Sequence, residues 1–139
     1  YQLRKQRNNL IGAMVKDTGK TLYEADVEVS EAIDFADFYC TSRQELESLS
    51  DIDWQPKGVV LVASPWNFPC SIPAGGILAA LLGGNAVIFK PAPEAILVGW
   101  QLVKAFWEAG VDKNVLQFIC CRDDPFGTQL IQDSRVNMV

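Results

Sequence analysis

The sequence contains no histidine. No Cys–His nucleophile pair and no imidazole metal ligand can therefore exist within these 139 residues. Cysteine is scarce and poorly spaced for bridging: Cys40, Cys70 and the adjacent Cys120 and Cys121, with no CxxC pattern. The four are read as reduced, mostly buried thiols of an intracellular, cytoplasmic protein. Basic charge is in deficit. Twelve Lys and Arg face seventeen Asp and Glu, and no basic cluster occurs, so the phosphate footprint that nucleic acid requires is missing. No GxGxxG or Walker-type loop follows any predicted strand, so the standard dinucleotide fingerprint is absent too. No signal-peptide pattern opens the chain, which begins at Tyr1.

The most informative absence is local. From Gly58 to Phe89 there is no Asp, Glu, Lys or Arg. A membrane span needs about 20 apolar residues, but Pro65, Asn67, Pro69, Pro73 and the Gly83-Gly84-Asn85 triplet would break or polarise one. A buried βαβ unit of a parallel sheet fits instead, because parallel strands are covered on both faces and read as continuous apolar runs. Val59–Val62 is the first strand, Ser64–Pro69 a turn, Ile72–Leu82 a helix, and Ala86–Phe89 the second strand, ending at Lys90-Pro91. The glycine pairs at the ends of that helix are explained by close packing.

Around this unit the chain is organised simply. Tyr1–Lys16 carries a Leu10, Ile11, Met14, Val15 stripe and is predicted to be an amphipathic helix, with a turn at Asp17–Lys20 and Gly19 left-handed. Thr21 and Glu24 match a capping box that opens a long helix to about Glu47. Leu22, Ala25, Val29, Ala32, Ile33, Ala36 and Tyr39 are its apolar positions. Glu24, Glu28, Glu31, Asp34 and Asp37 read as its solvated face. Ser48–Lys57 is a polar connection in which Trp54 can pack over the helix–sheet junction. Beyond the central unit, Ala95–Ala109 is a second amphipathic helix stopped by Gly110, and Val115–Cys121 a third strand. Asp124-Pro125 is a predicted helix start, Phe126–Asp133 a short helix, and Val136–Val139 the beginning of a fourth strand. The expected fold class is α/β, a partial doubly wound parallel sheet preceded by two helices.

Ligands of such sheets bind beyond the carboxyl ends of the strands. Two segments fall there, each with two uses. Asn67, in Trp66-Asn67-Phe68-Pro69, can be a turn residue bonding its own backbone, or an amide donor aimed at a developing oxyanion. Lys90 can run its stem along the sheet edge to water, or place an ammonium for ribose hydroxyls or phosphate; Pro91 holds it extended. Glu94 is either a first-turn helix acid or a ribose acceptor.

Taken together, SPWNFP, GGNAVIFKPAPE and WEAGV resemble the aldehyde dehydrogenase superfamily, as do DTGK, EVSEAIDFADFY and VLQFICC…GTQLIQDSRVNMV, in order over nearly the whole chain. The resemblance implies NAD-dependent oxidation of an aldehyde to a carboxylic acid, with NADP left open. In the family a Cys thiolate attacks the aldehyde, hydride leaves to the nicotinamide, and a Glu-activated water releases the acid. Asn67 matches the Asn that steadies the oxyanion. Pro65 and Trp66 match the turn near the nicotinamide, Ala63 and Ser64 positions along the cofactor, and Lys90 the adenosine-ribose lysine. The family often places an acid or small polar residue three positions after this Lys; here that position is Pro93, and Glu94 is one later. The family's glycine-containing cofactor turn, catalytic Glu and nucleophilic Cys all follow the strand at Val139, and Cys70 does not match the nucleophile's motif. Residues 1–139 are thus expected to be an incomplete NAD(P)-binding domain (helices in 1–50, βαβαβα plus the start of a strand in 57–139), without the catalytic domain and inactive alone. The short Ser48–Lys57 connection leaves little room for the oligomerisation hairpin of many members.

KPAPEA…WEAGV…LQFICC narrows the resemblance to the 1-pyrroline-5-carboxylate dehydrogenases, some of them within bifunctional proline-utilisation proteins. It implies glutamate semialdehyde as substrate, in proline breakdown. The expected partners are this small-molecule aldehyde and further copies of the chain, with no metal, no nucleic acid and no stable membrane span. A non-catalytic nucleotide-binding or interaction module on the same fold is the alternative.

Overall fold

A computed structural model describes all residues, Tyr1 to Val139. Three parallel strands lie in the order β1-β2-β3: β1 is Val59–Ser64, β2 Ala86–Pro91 and β3 Leu116–Phe118. Helix α4, Ser71–Leu82, connects the first two, and α5, Ile96–Glu108, connects the last two. Helices α1 (Gln2–Lys5), α2 (Arg7–Thr18) and α3 (Leu22–Glu47) pack outside α4 and α5. No helix is long and apolar enough to cross a membrane.

Residues that alternate along the strands divide the core. Val60, Val62, Val87 and Phe89 face the α4 and α5 layer, where they join Ala74, Ile77, Val98, Leu102 and Val103. Two glycines let that layer close. A Cβ at Gly75 would meet the Phe35 ring of α3 at 3.3 Å, and one at Gly76 would meet Val62 at 3.2 Å, so α4 is wedged between α3 and β1. Asn85 ties the ends of this unit: its Oδ1 accepts from the Gly58 amide (2.9 Å) and its Nδ2 donates to the Ala80 carbonyl (2.9 Å). Thr21 and Glu24 form the capping box expected at the start of α3, and Gly19 is left-handed at φ 68°.

Several expectations need correction. The first helix is two pieces broken at Gln6, and its second piece runs on through Asp17 to Thr18. Leu22 is exposed, because it sits in the first turn of α3 before that helix meets its neighbours. Trp54 is 44% exposed: its indole donates to the Leu46 carbonyl (3.1 Å) and lines an open groove between α3 and the end of α4 without closing it. Of the cysteines, only Cys70 is fully buried; Cys40 and Cys120 are exposed and Cys121 is intermediate. Strand β3 is shorter than expected. Val87 donates to the Val115 carbonyl and Ile119 donates to Phe89 (3.0 Å), but the next ladder bond would need the amide of Pro91, which has none. Asp124 makes no side-chain cap bond: it marks a kink (φ −119°, ψ 133°) inside the helical turn Asp123–Gly127, and α6 starts only at Thr128, ending at Gln132.

The expected fourth strand is a single parallel bridge, Val60 to Met138, with Asn137 donating to Val59 and Leu61 to Met138. It lies on the side of β1 away from β2. The chain order therefore reverses at β1, and the carboxyl edge beside β1 is the crevice where a doubly wound sheet takes a ligand.

Packing at Gly99 gives a stability test. A Cβ there would lie 3.0 Å from Pro91 and 3.1 Å from both Phe89 and Phe118. Gly99→Ala is expected to lower stability by about 1–3 kcal/mol through overpacking. Gly12→Ala, where a Cβ meets nothing within 4 Å, is expected to raise it by about 0.5–1 kcal/mol. Urea unfolding midpoints of the two variants check both signs.

Candidate functional site

The turn after β1 projects from the sheet. Pro65, Trp66, Asn67 and Phe68 are exposed, while Pro69 and Cys70 are buried. What anchors the turn is Glu28 of α3, not part of a solvated face at all: it is 2% exposed. Its Oε1 accepts from the Cys70 amide (2.7 Å) and the Ser71 amide (3.0 Å). Its Oε2 lies 2.8 Å from the Lys20 ammonium, which in turn sits 4.4 Å from the centre of the Phe68 ring. One buried carboxylate thus fixes the start of α4, and its counter-ion covers the turn residue next to Asn67. Asn67 itself is exposed, in the turn that leaves the carboxyl end of β1.

The second segment is fixed in the same way. Helix α5 has no cap of its own, with Ala95 at the cap position. Asp17 supplies one from α2: its Oδ2 accepts from the amides of Leu97 (2.7 Å) and Val98 (3.2 Å). These bonds hold the start of α5 just behind the Lys90–Glu94 segment. Helix α4 likewise has no side-chain cap from its own sequence. With Cys70 and Ser71 bonded to Glu28 and Pro73 lacking an amide, its N-terminus offers almost no free donor. Neither helix start is therefore open to a phosphate in the manner of a glycine-rich loop. This is the physical counterpart of the missing GxGxxG.

Lys90 and Ala63 are register partners on adjacent strands, so Ala63, Ser64 and Lys90 form one edge. The Lys90 side chain is only 8% exposed. Its Nζ donates to Asp123 Oδ1 at 2.6 Å and to the Pro91 carbonyl at 3.3 Å. The Asp123 side chain is 73% exposed. A small cavity of about 190 Å³ opens here, lined by Ala63, Lys90, Asp123, Gly127, Thr128 and Ile131. Glu94 sits apart, exposed in a short 3₁₀ turn, Pro93–Ala95, and makes no bond to Lys90.

Three site-shaping residues escaped the sequence reading, and each left a signal. Ala25, Glu28, Val29 and Ala32 follow the i, i+3, i+4, i+7 spacing of a buried stripe, which places Glu28 in the core. Asp17 is an acid in the last turn of its own helix, where the helix dipole disfavours it, so another helix's N-terminus is its natural partner. Asp123 follows β3, on the same edge as Lys90.

Cys70 has no nucleophilic role. Burial pushes its thiol far above the ordinary range, the Glu28 charge pushes it further, and Lys20 offsets this only in part. No group of three or more Cys, Asp or Glu side chains converges on a potential metal site.

Residues 1–139 match the aldehyde dehydrogenase family throughout. The chain belongs to the aldehyde dehydrogenase family. Bifunctional protein PutA of Salmonella typhimurium is 40% identical over 134 residues, which cover 96% of this chain and 10% of that protein. The structure of proline utilization A (PutA) from Corynebacterium freiburgense superposes with a TM-score of 0.91 at 39% identity, covering 97% of this chain and 14% of that one. A 1-pyrroline-5-carboxylate dehydrogenase from Thermus, solved with bound NAD, superposes at 0.88 and 30% identity, covering 97% of this chain and 28% of that one. The chain spans about a tenth of the length of the PutA relative and just over a quarter of the Thermus family member.

Two measurements probe this arrangement. Glu28→Ala leaves Lys20 and two amides without their buried partner and is expected to cost about 3–5 kcal/mol, with Glu28→Gln losing less; denaturant unfolding reads both. Under native conditions at mildly alkaline pH, iodoacetamide is expected to label Cys40 and Cys120 and to spare Cys70, as read by peptide mass spectrometry. Fast labelling of Cys70 would contradict the packing around Glu28.

Proposed function

We propose that these residues form the cofactor-side part of an NAD-dependent aldehyde dehydrogenase that oxidises L-glutamate 5-semialdehyde to glutamate in proline breakdown. The observation that carries this reading is the exposed Asn67 in the turn after β1, a turn whose far end Glu28 anchors, on the same carboxyl edge of the parallel sheet as Lys90 at the end of β2. Family membership supplies the reaction class. The similarity to PutA and to 1-pyrroline-5-carboxylate dehydrogenase supports the semialdehyde.

The residues present fit a nicotinamide dinucleotide. Lys90 has an ammonium proton beyond its two bonds, next to an open cavity between β1, β2 and the turn after β3. In this reading Lys90 holds the adenosine ribose, Ala63 and Ser64 run alongside the cofactor, Pro65 and Trp66 shape the turn near the nicotinamide, and Glu94 borders the ribose from its 3₁₀ turn. When bound, the cofactor supplies the hydride acceptor. Asn67 donates its amide hydrogen to the aldehyde oxygen as that oxygen gains negative charge. A fixed donor of this kind needs no reorganisation during the reaction, which is why it lowers the barrier. The thiolate does not come from Cys70, which is buried and held neutral.

The test uses the full-length gene product, following NADH absorbance with glutamate semialdehyde beside a simple aliphatic aldehyde. Turnover on the semialdehyde is expected. Asn67→Ala is expected to reduce kcat by about 10²–10³-fold, with a much smaller change in KM. Turnover on the aliphatic aldehyde alone would remove the proline-breakdown assignment. No turnover on either by a folded protein would favour a non-catalytic nucleotide-binding module.

A further inference from the structure

We propose that Asp123 is a specificity-determining residue that selects a dinucleotide with a free adenosine 2′-hydroxyl and rejects one carrying a 2′-phosphate. The inference rests on the placement of Lys90 at the adenosine ribose.

The geometry supports it from three directions. First, the pair is asymmetric. Lys90 is nearly buried, whereas the Asp123 carboxylate is largely exposed and forms part of the cavity wall. A ligand entering the cavity meets the anion first and reaches the ammonium only alongside it. Second, the closeness of the pair is built in. A Cβ at Gly127 would lie 3.3 Å from Lys90 Cε, so the turn Asp123–Gly127 closes over the lysine stem because residue 127 has no side chain. Third, the position three residues after Lys90 is Pro93, and Glu94 is exposed in its own turn without a bond to Lys90. The acid that meets Lys90 comes instead from the segment after β3.

The chemistry of the pair then discriminates between ligands. A hydroxyl both donates and accepts, so it can donate to the carboxylate and accept from the remaining ammonium proton. A phosphate dianion only accepts. It would bring two negative charges against Asp123 in a recess that screens them less than open water does. Lys90 cannot compensate, since its charge is already matched by Asp123 at 2.6 Å. The competing cation is Arg122, exposed one residue before Asp123 and free of side-chain hydrogen bonds. Were Arg122 to govern the site, the preference would reverse.

The experiment is equilibrium titration of the full-length gene product with NAD and with NADP, without aldehyde, by calorimetry. The expected wild-type result is NAD binding at least tenfold tighter than NADP. Asp123→Asn is expected to improve the Kd for NADP relative to NAD by at least tenfold, and Asp123→Glu to keep the NAD preference. Circular dichroism melting shows that each variant is folded. Wild-type preference for NADP, or an NAD-to-NADP ratio unchanged within twofold in Asp123→Asn, would overturn the proposal. Lys90→Met separates this from the underlying reading. Weakened binding of both dinucleotides alongside an unchanged Asp123→Asn ratio refutes Asp123 alone. Unchanged binding of both in Lys90→Met removes Lys90 from the ribose and the proposal with it.

Discussion

Two carboxylates that reach across the fold determine where everything else can sit. Glu28 binds the first amides of α4, and Asp17 binds the first amides of α5. Each helix follows a strand whose carboxyl end carries candidate chemistry, and neither has a capping side chain of its own. A helix start carries about half a positive charge, so an acid placed there neutralises it while satisfying the amides. The N-terminal helices are therefore not a decoration on the sheet. They set the directions in which the turn at Asn67 and the segment at Lys90 leave it.

The same arrangement closes the starts of α4 and α5 to an incoming anion. Helix starts facing the crevice are the usual places for a phosphate. Here protein anions already occupy them, and Pro73 removes a further donor from α4. The candidates left at this edge are side chains: Lys90 with Asp123, and the exposed Asn67. A buried lysine is tolerable because Asp123 and the Pro91 carbonyl both accept from it.

Most of the layout was legible from residues. The charge-free stretch, the prolines and the glycine triplet marked strand, turn, helix and strand, because each acts through local backbone geometry. The capping box at Thr21 and Glu24 was legible for the same reason. The misses share one cause. Glu28, Asp17 and Asp123 each take a partner far along the chain, 42, 80 and 33 positions away. Nothing in the residues beside Glu28 says that the Cys70 amide will need an acceptor. The early end of β3 was hidden likewise, since it depends on Pro91 in the neighbouring strand rather than on β3's own apolar run.

Those separations bear on how the chain acquires its shape. Glu28 and Asp17 are synthesised well before the amides they bind, and until then they are charged groups on helices with no core to cover. Leaving the ribosome, α2 and α3 must wait for α4 and α5 before either acid can be buried with its charge matched. The N-terminal helices and the sheet unit are then one cooperative folding unit and not two modules joined in series. An excision that began at the first strand would discard the anchors of both candidate segments while keeping every residue of the sheet.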